Sequence, residues 1–332
     1  MKRLLNHTFE QAISLENLLL AWQEFATEKR YKLDVAHFSL RLFENVQQLQ
    51  KELEDASYQH GGYYRFRVCD PKPRVIHKAT VRDRLLHHAL YRVLYPFFED
   101  TFCSDVFSSL KNRGAHAALS RFAHLYNRVS HNSTRTCWVL KCDIAKFFDT
   151  IDHEILKKLL EARVEDKKLR VLLSTVIDSF SVLPGKGLPL GNLTSQLFCN
   201  IYLSHFDNFV KHSVRAKTYI RYADDFVVMS DRRDFLETLI PKFADFLQKE
   251  LRLSLHPRKV SISTVASGVD FLGWVHFPHH RVLRTKTKNR LLRHVAISPH
   301  TPTIASYRGL LKHGHARRIE QKLASIELFG RL

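Results

Sequence analysis

Two strand-like runs meet in the stretch Lys217-Thr-Tyr-Ile-Arg-Tyr222-Ala223-Asp224-Asp225-Phe-Val-Val-Met-Ser230. Their pattern predicts two β-strands joined by a hairpin turn. The turn carries two adjacent carboxylates, which repel each other, whereas a turn that needed only polarity could use Asn-Gly or Asp-Gly. A hard cation such as Mg²⁺ would remove that repulsion because it takes oxygen ligands. By itself the pair also fits an ordinary acidic turn, so the interpretation depends on a third acid elsewhere.

That third acid is Asp143, at the end of the mostly apolar segment 138–143 (Trp-Val-Leu-Lys-Cys-Asp). The segment predicts a strand, and a helix is predicted to begin near Asp152, a residue type favoured at N-caps. Residues 187–196 (Gly-Leu-Pro-Leu-Gly-Asn-Leu-Thr-Ser-Gln) form a loop that leads into an apolar helix predicted at about 197–210. Taken singly, Asp143 also fits a capping acid and the loop a plain turn. Their order along the chain carries the argument.

In this order the three segments resemble the palm motifs of reverse transcriptases, and the resemblance extends from about residue 65 to residue 274. Asp143 with Phe147-Phe148 is similar to the first motif, residues 187–196 to the second, and Tyr222-Ala-Asp-Asp225 to the third. The resemblance implies an α+β fold of the right-hand polymerase type, with fingers, a palm built on an antiparallel sheet, and a helical thumb. The implied bounds are an N-terminal helical region at 1–60, fingers at 61–135 and 152–185, palm at 136–151 and 186–279, and a basic helical thumb at 280–332.

The resemblance implies an RNA-directed DNA polymerase, a nucleotidyltransferase that works through two Mg²⁺ ions, for which Mn²⁺ is a substitute. Asp143 and Asp224 are expected to bridge both ions, with Asp225 in a supporting role and the carbonyl of Ile144 as a further ligand. Lys259 is similar to the family's lysine that is proposed to protonate the leaving pyrophosphate. A simple basic loop around that lysine is the alternative.

Contacts to the incoming nucleotide are implied at five positions. Lys72 and Arg74 lie in a segment similar to the fingers motif of bacterial reverse transcriptases, and a guanidinium pairs bidentately with phosphate oxygens. Phe148 is similar to the steric gate, whose ring would clash with a ribose 2′-hydroxyl. Leu190 and Gly191 complete the predicted nucleotide site. A solvated surface arginine at position 74 and a core aromatic at position 148 are the alternatives.

Contacts to template and primer are expected in three places along the chain. They are Ser195 and Gln196 near the start of the apolar helix, Tyr222 before the acidic turn, and Phe271-Leu272-Gly273-Trp274, which is similar to the turn that grips the primer end.

Within the family, the loop is most similar to that of the reverse transcriptases of diversity-generating retroelements. The aliphatic Leu190 precedes Gly191 where retroviral and intron enzymes usually have Gln, and Ser195-Gln196 follow. Those enzymes copy an RNA template into cDNA and misincorporate opposite template adenines. The implied partners are the RNA template, a DNA or RNA primer, the cDNA product, dNTPs and a small, basic, oligomeric accessory protein. A retron, defence-associated or intron-type reverse transcriptase is the alternative, as is a non-catalytic RNA-binding protein that keeps the fold.

Charge agrees with a nucleic-acid substrate. The chain has 52 Lys and Arg against 33 Asp and Glu, a net charge of +19, which favours a polyanionic partner. Residues 281–332 hold 12 Lys and Arg against 2 Asp and Glu.

No apolar run reaches the ~18 residues that a membrane span needs, and the start lacks the long apolar stretch of a signal peptide, so we expect a cytoplasmic protein without a membrane partner. The five cysteines indicate neither zinc nor disulfides.

Residues 1–60 have helical periodicity. Their predicted apolar faces comprise Leu15, Leu18, Leu19 and Trp22 in one helix, and Leu40, Phe43, Val46 and Leu49 or Leu53 in another.

Overall fold

The computed structural model describes residues 4–69, 73–297 and 301–329. The chain divides into two compact units, and each is built from several separate stretches of sequence. The first unit comprises Met1–Ser104, Ile144–Arg215 and Ala244–Leu255, and the second comprises Asp105–Asp143, Ala216–Phe243 and His256–Leu332. All three predicted catalytic acids therefore belong to the second unit.

Helices dominate the described chain. They are α1 (Phe9–Ile13), α2 (Leu15–Ala26), α3 (Leu33–Leu40), α4 (Leu42–Glu54), α5 (Val81–Glu99), α6 (Ala115–Val129), α7 (Phe147–Thr150), α8 (His153–Glu161), α9 (Lys167–Asp178), α10 (Leu193–Asn208), α11 (Arg233–Leu251), α12 (Thr285–Ile297), α13 (Thr301–Leu311) and α14 (Arg317–Phe329). A π-helical segment, Phe209–Ser213, continues α10.

The strands of the described residues form three antiparallel groups. They are β1 (Tyr63–Val68), β2 (Arg74–Ala79), β3 (Trp138–Asp143), β4 (Tyr219–Tyr222), β5 (Asp225–Ser230), β6 (Ser261–Thr264), β7 (Val269–Phe271), β8 (Trp274–His276) and β9 (Arg281–Leu283). The groups are the hairpin β1-β2, a four-stranded sheet in the order β4-β5-β3-β6, and a three-stranded sheet in the order β7-β8-β9.

In the first unit, several helices begin at a side-chain N-cap. Asp152 is the N-cap of α8, as predicted, because its side chain accepts hydrogen bonds from the amides of Glu154 and Ile155. Helix α10 begins at Leu193, four residues before the predicted start. The preceding Asn192 has extended backbone angles, so the helix begins directly after it. The helix therefore includes residues 193–196, which the sequence pattern places in the loop.

The predicted apolar face of residues 40–53 is correct only in part. Val46, Leu49 and Leu53 are buried, but Leu40 and Phe43 are 82% and 55% exposed. The sequence pattern predicts one continuous apolar face, whereas α3 ends at Leu40 and α4 begins at Leu42 with the non-helical Arg41 between them. That interruption breaks the helical periodicity on which the prediction relies.

In the second unit, helix α6 and the four-stranded sheet share one apolar core. Its buried members include Phe122 from α6, Val139 from β3, Val227 from β5 and Phe271 from β7. The middle of the sheet is therefore anchored from one face, and the strand ends that carry the acids are held by this packing.

A second core joins the three-stranded sheet to helices α12, α13 and α14. Trp274 is 1% exposed and packs with Leu283, Leu291 and Leu311. Gly314, between α13 and α14, approaches the indole so closely that a Cβ there would lie 2.0 Å from the Trp274 ring. The basic C-terminal part is thus helical and packed, while the predicted bounds of fingers, palm and thumb stay predictions.

Two further features bear on the sequence-based expectations. Within residues 4–69, 73–297 and 301–329, no helix is both long and apolar enough to cross a membrane. Cys137, Cys142 and Cys199 are buried, and Cys69 is exposed.

Candidate active site

A two-residue hairpin loop presents two of the predicted acids. Strands β4 and β5 pair with Tyr222 opposite Asp225, which leaves Ala223 and Asp224 as the loop. Ala223 has a φ of 54°, in the left-handed region that costs a non-glycine residue about 1–2 kcal/mol. The guanidinium of the fully buried Arg221 donates a hydrogen bond to the Ala223 carbonyl at 3.1 Å. This contact helps to hold the acidic turn in its strained form.

Asp143 is placed beside that turn by the strand register. Strand β3 pairs antiparallel with β5, and Asp143 lies directly opposite Asp225. Opposed residues in such a pair have Cα atoms about 4.5–5.5 Å apart and side chains on the same face. The pairing of two strands far apart in sequence therefore brings the first and third motifs together.

Lys259 contacts the carboxylate of Asp143. Its ammonium lies 2.8 and 2.9 Å from the two carboxylate oxygens. The backbone fixes this approach, because the His256 amide donates to the Asp143 carbonyl at 2.7 Å and the Lys259 amide donates to the His256 carbonyl at 3.0 Å. The lysine that was predicted as a proton donor therefore touches a predicted metal ligand.

The charge around Asp225 favours a bound cation. Burial raises the pKa of Asp225 to about 6, and the charges of Asp143 and Asp224 act in the same direction. The Lys141 ammonium, 3.5 Å from one carboxylate oxygen, opposes this increase. The other oxygen, Oδ1, is buried without a hydrogen-bond partner. A carboxylate in this environment gains from a further positive charge.

In the first unit, three of the predicted nucleotide-binding elements are joined by hydrogen bonds. The Leu188 amide donates to the Phe148 carbonyl at 2.8 Å, and the His77 amide of β2 donates to the Leu190 carbonyl at 2.9 Å. Gly191 has a φ of 110°, and a Cβ there would lie 2.7 Å from the side chain of Ile76. The loop therefore needs glycine both for its backbone and for its close approach to β2.

The individual side chains of this region differ in accessibility. Arg74 is exposed at the start of β2, and Phe148 and Leu190 are half-buried. The Phe148 ring meets the Phe147 ring edge-on at 5.7 Å. Part of the Phe148 side chain is accessible to solvent. Lys72 lies outside the described residues, so its predicted phosphate contact stays a prediction.

The predicted template and primer residues are partly accessible. Gln196 is exposed and Tyr222 is half-buried, whereas Ser195 is only 3% exposed. Leu272 and Gly273 form a two-residue turn between β7 and β8.

The two end residues of the predicted primer-contacting turn are buried. Phe271 and Trp274 are 0% and 1% exposed, so the turn residues between them are the more accessible ones, and the primer contact stays a prediction. Their rings lie in the two cores of the second unit, where they fix the turn between them.

Comparison with known proteins supplies the family. Residues 69–276, more than half of the chain, match the family described as reverse transcriptase (RNA-dependent DNA polymerase). The chain belongs to the reverse transcriptase family. It is thereby an enzyme of the RNA-directed DNA polymerase class, as the motif order predicted.

Curated relatives of this reverse transcriptase include a retron enzyme and a group II intron-encoded protein. Protein YkfC of Escherichia coli (strain K12) is 26% identical over 299 residues, covering 78% of this chain and 76% of YkfC. The Retron Ec73 reverse transcriptase of E. coli is 23% identical, covering 67% of this chain and 75% of its own. The group II intron-encoded protein LtrA of Lactococcus lactis subsp. cremoris is 25% identical, covering 50% of this chain and 28% of LtrA. The chain thus spans about three quarters of two relatives and little more than a quarter of the third.

A solved structure supports the fold. The apo telomerase of Candida tropicalis, truncated from its C-terminal domain, aligns with a TM-score of 0.50 at 13% identity, over 72% of this chain and 60% of that one. Together with the family match, this likeness confirms the predicted right-hand polymerase fold of the reverse transcriptase.

The residues around the acidic turn fit a divalent metal, although their side chains are turned to protein partners. Among the residues that the structure describes, no group of three or more His, Cys, Asp or Glu side chains is arranged to hold a metal ion. Asp143 faces Lys259, and Asp225 faces Lys141. Mg²⁺ nevertheless prefers carboxylate oxygens as ligands. The strand register places two carboxylates, those of Asp143 and Asp225, opposite each other, and Oδ1 of Asp225 has no hydrogen-bond partner. Joint chelation by the three acids stays a prediction.

Sequence reasoning missed two basic residues of this reverse transcriptase site. Lys141 precedes Asp143 by two positions, and the period of a strand places both on one face, so the alternation rule could have found it. Its ammonium also donates to the Asp270 carbonyl at 2.7 Å, which holds it beside Asp225. Arg221 gave no comparable signal, because an arginine inside a strand is normally read as exposed.

Proposed function

We propose that this reverse transcriptase copies an RNA template into cDNA by two-metal phosphoryl transfer, and that it is the error-prone enzyme of a diversity-generating retroelement. The observation that supports catalysis is the pairing of Asp143 with Asp225 across β3 and β5, beside the turn that carries Asp224. Two Mg²⁺ ions bound there would activate the primer 3′-hydroxyl and neutralise charge on the pyrophosphate.

The protein residues have separate tasks in this proposal. Asp143 and Asp224 would supply carboxylate oxygens to the ions, the Ile144 carbonyl would add a backbone oxygen, and Asp225 would support them. Lys141 limits the net negative charge at Asp225. With a cation bound at Asp143, Lys259 would be released from that carboxylate and could give its proton to the leaving pyrophosphate.

Primer extension tests the catalytic part. Wild-type protein with Mg²⁺, an RNA template, an annealed DNA primer and dNTPs should extend the primer, and Asp224→Asn should remove this activity. Asp231→Asn makes the same chemical change at an exposed position beyond β5 and should extend like the wild type. Equal extension by wild type and Asp224→Asn would refute the proposed site, and absence of extension in both would favour a non-catalytic RNA-binding protein.

The retroelement assignment rests on the loop that contains Leu190. Its backbone is fixed against β2 through the His77 amide, while its side chain is half-buried and purely apolar. An amide side chain at this position could hydrogen-bond to the nucleotide and align it, whereas leucine offers only contact area. We therefore expect mispairing at template adenines to be tolerated.

Sequencing the cDNA decides this part. Wild-type products should carry substitutions concentrated at template adenines, and Leu190→Gln should lower their frequency there. Leu190→Met is the matched control, because it keeps an apolar side chain of similar size and should leave the error pattern unchanged. Equal error frequencies in the Gln and wild-type enzymes would refute the proposed role of Leu190.

A retron or intron-type enzyme is the second candidate, and the relatives Retron Ec73 and LtrA favour it. Accurate copying at adenines by the wild type would select this class. For either class we propose dNTPs, an RNA template, a DNA or RNA primer and the cDNA product as partners in the cytoplasm. For the retroelement class we add a small, basic, oligomeric accessory protein.

A further inference from the structure

The second unit contains a cleft of about 650 Å³ that none of the predicted site residues lines. Its walls come from helix α6, from the chain that follows β8, and from residues 312–315 between α13 and α14. This volume lies within the range of about 300–1,000 Å³ that small-ligand sites occupy.

The cleft lies away from the catalytic acids. Val265, one of its lining residues, donates its amide to the Cys137 carbonyl, directly before β3 begins. Asp143 stands at the other end of that strand. Six residues at about 3.3 Å each separate the two positions by about 20 Å. A ligand in the cleft would therefore not be part of the metal site.

The charge of the cleft is positive. Arg281 and Lys312 line it, and no Asp or Glu is among its described lining residues. Arg281 is fixed in place, since its guanidinium lies over the Trp274 ring at 5.8 Å and donates to the His313 carbonyl. Lys312 is exposed at the surface. One cation held by its neighbours and one exposed cation suit a phosphate group.

Flat rings border the same cleft. The rings of Phe277 and His280 stack at 5.0 Å with an angle of 15° between their planes, and His315 meets His280 edge-on at 5.5 Å. His280 and His315 are exposed, so part of each ring remains accessible to a planar ligand beside these ring contacts. Such faces stack on unpaired nucleobases without regard to base identity.

A buried histidine adds a hydrogen-bonding atom with no protein partner. His276 lines the cleft and is 4% exposed, and its Nε2 is buried without a hydrogen bond. Burial lowers the pKa of His276 to about 4, and a hydrogen bond to the backbone of Phe271 opposes that change. The imidazole is therefore neutral at pH 7, with Nε2 free to accept a hydrogen bond from an amino or imino group.

We propose that this cleft binds an unpaired nucleobase together with its phosphate, supplied by a single strand of RNA held outside the active site. The rings would stack on the base, His276 would accept from its edge, and Arg281 with Lys312 would bind the phosphate. A free nucleotide has the same chemistry and is the other source to be distinguished. The inference does not depend on the metal site or on the class of reverse transcriptase.

Fluorescence anisotropy tests the proposal on the full chain. The probes are four 3′-labelled, 5′-phosphorylated tetraribonucleotides, one for each base, added after a saturating RNA–DNA template–primer duplex has filled the catalytic site. Lys312→Glu and His280→Ala, both at exposed positions, should each weaken binding at least fivefold. Lys242→Glu, an equal charge change at an exposed position of α11, should change binding less than twofold.

Two further measurements complete the test. His276→Phe keeps a ring and removes the nitrogen, so it should reduce the differences in affinity among the four probes. Competition by nucleoside 5′-monophosphates at concentrations equal to the tetranucleotides would support the site and identify a free nucleotide as the source, whereas weaker competition would support single-stranded RNA. Loss of all probe binding once the duplex is present, or equal binding by Lys312→Glu, His280→Ala and wild type, would overturn the proposal.

Discussion

Replacing Lys259 by methionine should separate metal affinity from chemistry. Its ammonium occupies the Asp143 carboxylate, in a pair whose side chains are 45% and 14% exposed. Because a pair of this exposure is worth about 0.5–1 kcal/mol, its removal should lower the Mg²⁺ concentration for half-maximal rate about two- to fivefold. If the same ammonium protonates pyrophosphate, the rate of single-nucleotide incorporation at saturating Mg²⁺ should fall about 100-fold or more.

Single-turnover incorporation on an RNA template, measured over a Mg²⁺ titration, reports both quantities. Lys259→Arg keeps a cation at Asp143 but cannot release a proton at neutral pH, so it should retain the wild-type Mg²⁺ dependence and share the loss of rate. Arg258→Met, one residue away on the same exposed loop, is the control and should alter neither quantity. An unchanged Mg²⁺ half-saturation in Lys259→Met would refute competition between lysine and metal, and an unchanged rate would remove Lys259 from proton transfer.

Two further predictions concern stability. Gly314→Ala places a Cβ 2.0 Å from the buried Trp274 ring and should lower the free energy of unfolding, measured in urea, by about 1–3 kcal/mol. Gly309→Ala, in open space on α13, should raise it by up to about 1 kcal/mol. Equal effects of the two substitutions would contradict the packing argument. Burial lowers the pKa of His87 to about 3, so the unfolded chain takes up a proton first and stability should fall by about 2 kcal/mol between pH 7 and pH 5 and further towards pH 3. His87→Gln should flatten this pH dependence, and an unaltered profile would exclude His87 as its source.

Much of the site could be predicted because its signals are local. The alternation on either side of Ala223 and Asp224 predicted the hairpin, and strands β4 and β5 confirm it. The segment that ends at Asp143 is strand β3, with the predicted bounds. In each case a short run of residue types specifies one backbone conformation, and the acid follows directly from the position where the strand ends.

Features that depend on contacts between distant segments were not predictable in the same way. The exposure of Leu40 and Phe43 follows from a break at one residue that hydrophobic periodicity does not register. The burial of Phe271 and Trp274 follows from packing against α6 and α12. Neither the exposure of the first pair nor the burial of the second could be predicted, because burial depends on what covers a residue, and the sequence of the covered segment does not record it.

Three basic residues surround the predicted catalytic acids. Lys141, Arg221 and Lys259 come from three different strands or loops, and each contacts the acidic turn or an acid beside it. The carboxylates of Asp143 and Asp225 are each paired with an ammonium group, and Oδ1 of Asp225 is buried without a hydrogen-bond partner. A buried carboxylate oxygen of this kind would gain from a bound cation. In the proposed two-metal site the basic side chains would act as counter-ions that exchange with the metal, which is why perturbing Lys259 should change metal affinity and chemistry in opposite directions.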